Sequence, residues 1–279
     1  MNTDHFAGND VRFGFGRNWV DFAAHVDEMR VAEAEQSLRR LLRLESLRGM
    51  SFLDIGSGSG LFSLAARRLG ARVHSFDFDP ASVASTQSLK ERYFSGDSDW
   101  RVEQGSVLDE DYLQRLGTFD IVYSWGVLHH TGALSRALRH AASCLNSTGL
   151  FVFALYRKTA LCWAWTIEKR WYARAPARSQ KIARALYVGL TRACFRVAGR
   201  NFEAHVAGYH QRRGMSFEHD LHDWLGGYPY ESISPAAVAR QMRQLGLEPV
   251  SSATRGFSLG LGGSGCDEYV YRRAAAPGN

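Results

Sequence analysis

One short string brings an acid and three glycines together, Asp54-Ile55-Gly56-Ser57-Gly58-Ser59-Gly60. Glycine is required where the backbone takes φ > 0, or where a ligand comes too close for a Cβ. A dinucleotide fingerprint is spaced GxGxxG and lays a pyrophosphate on a helix N-terminus. Here the third glycine arrives one residue early, as GxGxG, and Asp54 stands two residues ahead of the first. A fixed anion is unfavourable beside a pyrophosphate but useful beside ammonium and sulfonium groups. Seventeen residues after Gly60 comes Asp77, in Phe76-Asp77-Phe78-Asp79-Pro80. A carboxylate at a strand end can accept from both hydroxyls of a ribose, and Phe78 can lie against the attached base. The spacings favour a positively charged nucleoside cofactor over NAD.

The elements that must hold these residues alternate. Apolar periodicity predicts a helix over 27–48, then strands at 51–55, 73–78, 100–104, 119–125 and 150–156. Between them fall helices at 61–69, 80–93, 111–116 and 132–145. Strand and helix in alternation imply a parallel sheet with helices on both faces. Such sheets bind ligands at the carboxyl ends of their strands, which is where the glycine turn lies. Residues 157–213 break the rhythm with two helices, 158–173 and 178–198, separated by Pro176. Helices at 216–225 and 235–245 and strands at 250–253 and 268–271 follow, the last two around a glycine-rich loop. The expected division is a cap and helix (1–50), a cofactor-binding core (51–156), a basic helical lid insertion (157–215) and a segment completing the core (216–279).

In the LDIGSGSG turn, the FDFDP strand end, the QGSVLD segment and the FDIVYSWGVLHH strand, in that order, the chain resembles the class I S-adenosylmethionine-dependent methyltransferases. The resemblance implies an α/β, Rossmann-like, seven-stranded, mostly parallel sheet whose last strand is inserted antiparallel. It implies that Asp54, Gly56, Gly58 and Gly60, with Ser57, form the loop at the methionine end of S-adenosylmethionine. Asp77 would take the ribose, and Ser106 with Val107 the adenine edge; many relatives carry Asp where Ser106 stands. His130 is the first candidate for a general base and His129 the second, each weighed against a structural role. Trp125 is expected to line the methyl pocket or to serve as a core aromatic. Trp19, with Phe15, would face the sulfonium, since cations favour aromatic faces, and Arg17 would pair with the methionine carboxylate. A staple for the first helix is the competing reading of this cluster.

Methyl transfer from a sulfonium is an in-line displacement, so the protein supplies alignment and, for a hydroxyl or protonated amine, a base. Ser124-Trp125-Gly126 is not the Asp/Asn-Pro-Pro-Tyr of enzymes that methylate base amino groups, and no Pro-Cys dipeptide offers cytosine C5 chemistry. On a helix His219, His222 and Asp223 would share one face, but the spacing is not HExxH, and no metal is expected. His219 and His222 stand as an active-site base or substrate contacts, with a solvated or salt-bridged face as the competing reading. Tyr228 and Tyr230 would form an aromatic wall and Glu231 would hold an amine, with a loop packed on the sheet as the competing reading.

The net charge of +6 hides an asymmetry. Residues 157–213 hold 13 Lys/Arg against Glu168 and Glu203, giving +11, so the remainder carries −5. Three readings of this insert compete: a plain lid with arginines outward, a site for an anionic acceptor, or a membrane-surface helix reaching a lipid-linked acceptor. No stretch approaches the roughly 18 apolar residues of a spanning helix, no signal peptide is read, and the four scattered cysteines suit a reducing, cytoplasmic setting. With no recognisable RNA-binding module, nucleic acid ranks low as a partner. The expected function is methylation of a small molecule, at oxygen before nitrogen or carbon. An RNA-modifying methyltransferase and a non-catalytic cofactor-binding protein are the alternatives.

Overall fold

The computed structural model describes residues 14, 19, 22, 23, 26–209 and 217–274. Its centre is a seven-stranded sheet in the order β3-β2-β1-β4-β5-β7-β6. The strands are β1 (Ser51–Ile55), β2 (Arg72–Asp77), β3 (Trp100–Gln104), β4 (Phe119–Trp125), β5 (Leu145–Tyr156), β6 (Leu247–Ala253) and β7 (Cys266–Arg273). The five strands β1 to β5 pair in parallel, and β7 runs antiparallel to both β5 and β6. The order reverses between β1 and β4, so a crevice opens beyond the carboxyl end of β1, where such sheets take their ligands.

Two apolar layers hold the sheet. On one face, helices α1 (Glu28–Leu42), α2 (Leu61–Arg68) and α3 (Pro80–Phe94) bury Val31, Leu38, Leu64 and Leu89 against Phe52, Val73 and Ile121. On the other, α4 (Glu110–Leu116), α5 (Leu134–Ser143) and α10 (Pro235–Gln244) bury Leu113, Leu138 and Met242 against Leu53, Val122 and Phe153. Side-chain caps fix where several helices start. Asp27 accepts from Arg30 N in α1, Asp79 from Ala81 N in α3, and Asp109 from Tyr112 N in α4. Each satisfies an amide that the helix itself cannot.

Some predicted boundaries move. The first helix stops at Leu42 rather than continuing to 48, because Arg43 takes a left-handed conformation (φ 57°) that closes it. Leu145 belongs to β5 instead of the preceding helix: α5 ends at Ser143, and Phe119 N donates to Cys144 O at 2.8 Å. Between β5 and α10 come α6 (Cys162–Arg174), α7 (Ala177–Val197), the unpredicted α8 (Phe202–Ala207), capped by Asn201, and α9 (Phe217–Gly226). Their own small core joins Tyr172 of α6 and Leu221 and Leu225 of α9 to Ala183, Tyr187 and Val188 of α7.

Candidate active site

A cleft of about 1030 Å³ opens at the carboxyl ends of β1, β2 and β4. Ligand sites run to roughly 300–1,000 Å³, so it has room for two small molecules side by side. Its floor is the turn after β1. Gly56 sits at φ +78°, and a Cβ there would lie 2.5 Å from Val127. Gly58, at φ +55°, lies under the Trp19 indole, which a Cβ would meet at 3.2 Å. The bare backbone thus lets Val127 and Trp19 close over the turn. Gly60 opens α2 and does not line the cleft. Ser57 faces the cleft and shares a hydrogen bond of 2.9 Å with Thr86.

Asp54 and Asp77 end neighbouring strands and both line the cleft. Asp54 is 2% exposed and accepts from Ser63 Oγ at 2.5 Å. That hydroxyl meets Ser75 Oγ, which in turn accepts from the Trp100 indole at 2.9 Å. Burial, with Asp77 nearby, pushes the Asp54 carboxyl up to about 7. Asp77 accepts from Gly58 N at 3.0 Å and from Asp79 N at 2.9 Å, so it braces the glycine turn from the adjacent strand. Its carboxyl is also raised, chiefly by burial and against those two donors. Two carboxyls on neighbouring strands, both raised chiefly by desolvation, make a site that a cation would relieve.

The walls are aromatic. Trp125 stacks on Tyr123 (5.9 Å between centroids, 6° between planes), with Phe62 beside both. Phe78, Ser106 and Val107 line the far end. The Ser106 hydroxyl accepts from Leu108 N at 3.2 Å, so it is engaged in its own turn. Trp19 is tied to α3 by Ser85 Oγ donating to its carbonyl at 2.9 Å. Arg17 and Phe15 fall outside the described residues.

The two histidines part company. They follow β4 in a 3-10 turn, Leu128–His130. His130 lines the cleft; its Nδ1 lies 2.7 Å from the Pro229 carbonyl, which can only accept, so Nδ1 carries the proton of the neutral ring. Burial, against hydrogen bonds to the Pro229 and Gly227 backbone, depresses it to about 4. His129 does not reach the cleft: it is 1% exposed and packs on Tyr156 at 3.9 Å. Desolvation holds it well below the ordinary histidine range.

The expected substrate contacts divide in the same way. Tyr228 lines the cleft. Tyr230 is buried instead and donates to Ser264 Oγ at 2.8 Å. Glu231 accepts from Leu134 N at 2.8 Å, capping α5, so its carboxylate is spent on a helix end. His222 turns away from the cleft into the α6–α7 seam, where Nδ1 meets the Tyr172 hydroxyl at 2.7 Å and Arg184 at 2.9 Å. His219 is on the same helix, and its side chain falls outside the described residues.

Several cleft residues escaped the sequence reading. Asp220 and Trp224 come from α9, Tyr187 from α7, and Arg255 and Glu268 from the β6–β7 end; Asp223 of α9, read beforehand as sharing a face with His219 and His222, lines the cleft as well. Asp220 lies three residues before Asp223, the helical spacing i, i+3, which could have found it. Tyr187, Arg255 and Glu268 carry no local signal. Six lining carboxyls (Asp54, Asp77, Asp79, Asp220, Asp223 and Glu268) face one guanidinium, Arg255, among the described lining residues.

Residues 27–252 match a family model described as a methyltransferase domain. A ubiquinone biosynthesis O-methyltransferase of Paramagnetospirillum magneticum is 33% identical over 156 residues, 56% of this chain and 55% of that protein. A tRNA U34 carboxymethyltransferase of Methylococcus capsulatus is 36% identical over 107 residues, 38% of this chain and 32% of that protein. The chain thus spans about half the length or less of the curated relatives it matches. Among solved structures, the magnesium protoporphyrin IX methyltransferase of Synechocystis PCC 6803 with bound SAH aligns with a TM-score of 0.55. It covers 92% of this chain and 94% of that one at 14% identity, a likeness of fold.

Proposed function

Since the chain belongs to the methyltransferase-domain family, we propose that it methylates a small-molecule acceptor at oxygen, with S-adenosylmethionine as donor. One observation carries this reading: a buried carboxyl, Asp54, and a half-buried one, Asp77, both with raised pKa, flank a glycine turn in a single cleft. When bound, the donor supplies an electrophilic methyl on a sulfonium. Asp54 and the backbone of Gly56, Ser57 and Gly58 would hold its amino-acid end, with Gly60 starting the supporting helix. Asp77 would take the ribose, and Phe78, Ser106 and Val107 the base. Trp19 and Trp125 would present aromatic faces to the positive charge. The donor set fits a cationic nucleoside: carboxylates and bare glycine backbone, with no described lysine lining the cleft.

His130 is the proposed proton acceptor. Burial keeps it neutral at physiological pH, and the backbone of Pro229 and Gly227 holds the ring at the edge of the cleft. So weak a base suits an acidic hydroxyl of the phenol kind better than an aliphatic alcohol. Tyr228, with Tyr187 and Trp224, would enclose the acceptor. The excess of carboxyls supports a neutral or cationic acceptor over an anionic one. It also weighs against RNA, since none of the described basic residues of the insert lines the cleft. In this reading 51–156 is the cofactor-binding core, 1–50 its cap, 157–215 a lid and 216–279 the completing segment. No disulfide joins the four cysteines, which supports a cytoplasmic setting.

Calorimetric titration with S-adenosylmethionine and with NAD, followed by labelled-methyl transfer into a metabolite extract, tests the reading. The donor should bind and NAD should not. Asp77→Asn, which keeps the shape, should weaken donor binding by about ten- to a hundredfold, the loss of hydrogen bonds to a charged acceptor. Unchanged binding would remove Asp77 from the site.

A further inference from the structure

We propose that the outward faces of α6 and α7 dock the protein on an anionic membrane surface. Single exposed apolar side chains are ordinary, but these fall in rows. Along α7, Ile182, Leu186, Leu190 and Val197 recur on one face with exposures from 61 to 92%, and no residue of the helix is fully buried. Along α6, Trp163, Ile167 and Trp171 recur at every fourth residue and are at least half exposed. The opposite sides of both helices pack on α9, through Tyr172 of α6 and Tyr187 of α7. The apolar rows therefore point away from the cleft and from the rest of the molecule.

Charge decides what covers them. Exposed Arg178, Lys181 and Arg196 edge the apolar row of α7, and exposed Arg170 sits within that of α6. The segment carries +11. A second copy would bring the same positive field against this face, and the two would repel. An anionic bilayer complements the charge, accepts the leucines and isoleucine at its acyl boundary, and places tryptophan at the headgroup level. No described helix is long and apolar enough to cross a membrane, so the helices lie in the surface plane. This surface is independent of the methyl-transfer reading, because it shares no lining residue with the cleft.

Co-sedimentation with phosphatidylcholine vesicles, with and without phosphatidylglycerol, tests the proposal on the intact chain. Binding should be at least about tenfold stronger to the anionic vesicles and should weaken with salt. Trp163 and Trp171 should shift their emission to the blue. The double variant Leu186→Glu/Leu190→Glu, at positions about two-thirds exposed, should keep its circular dichroism and melting midpoint while losing vesicle binding at least tenfold. Equal or absent binding to both vesicle types would overturn the proposal, as would binding that the double variant retains. A dimer in sedimentation velocity that the variant abolishes would assign the face to a second copy. Salt-sensitive binding to tRNA without binding to vesicles would assign it to nucleic acid.

Discussion

At the scale of single residues, burial shifts the proposed donor contact Asp54 and the proposed proton acceptor His130 in opposite directions. The Asp54 carboxyl is raised from 3.8 to about 7 by burial. The folded state therefore binds more protons than the unfolded one between about pH 4 and 7, and this group's contribution to stability falls as pH rises through that window. The slope from Asp54 is at most about 1.4 kcal/mol per pH unit. Asp54→Asn keeps the acceptor for Ser63 Oγ and should flatten that part of the profile in urea melts. In the unaltered protein, donor binding near neutral pH should release a proton, readable by calorimetry in buffers of different ionisation enthalpy. His130 is depressed to about 4, so kcat/KM should hold steady through pH 6 and fall only as pH drops toward 4. His130→Gln should lower kcat by about 10²–10⁴, the span of general-base catalysis, with donor affinity unchanged. That Asp54, Gly56, Gly58 and Asp77 share one cleft was legible, because backbone geometry and local chemistry fix their types. Glu231 and His222 were not, because their partners, Leu134 N and the Tyr172–Arg184 pair, lie about 97 and 38–50 residues away in sequence.

Among the elements, α6 and α9 are joined by a buried amine. Lys169 is fully buried, donates to the Trp224 carbonyl near the end of α9 and lies 3.5 Å from the Trp224 ring. A cation there stabilises a helix C-terminus and an aromatic face together. Burial pushes its ammonium down and the neighbouring Glu168 carboxyl up. Since Trp224 lines the cleft, Lys169 positions a wall that it does not itself form. Lys169→Met keeps most of the volume and drops the donor. It should raise KM for the acceptor by about tenfold, one charge-assisted hydrogen bond, with little change in donor affinity or kcat. An equal fall in donor affinity would show that the α6–α9 clamp supports the whole cleft. The helices themselves were visible as periodicity, and Pro176 marked the break between α6 and α7. The end of α1 showed only as a fading of the apolar stripe after Leu42, because a left-handed Arg43 leaves no mark that glycine would have left.

For the molecule as a whole, the sign of charge is sorted by side. The cleft gathers carboxyls while the insert turns most of its described arginines outward, so the two fields would attract partners of opposite charge. Composition revealed the +11 segment; only the packing on α9 showed which way it faces. The sheet order carries a different lesson. β7 is the last of the seven strands in the sequence, yet it lies between β5 and β6. Ending the chain after residue 265 should leave aggregated protein in place of a domain short of one strand, which light scattering after expression would show. During synthesis, β5, with Phe151 to Ala154 wholly apolar, must wait with one side unsatisfied until Cys266 to Arg273 has left the ribosome. The cleft's last wall, Glu268, arrives with that strand, so a nascent chain has no complete pocket to fill before its sheet is sealed.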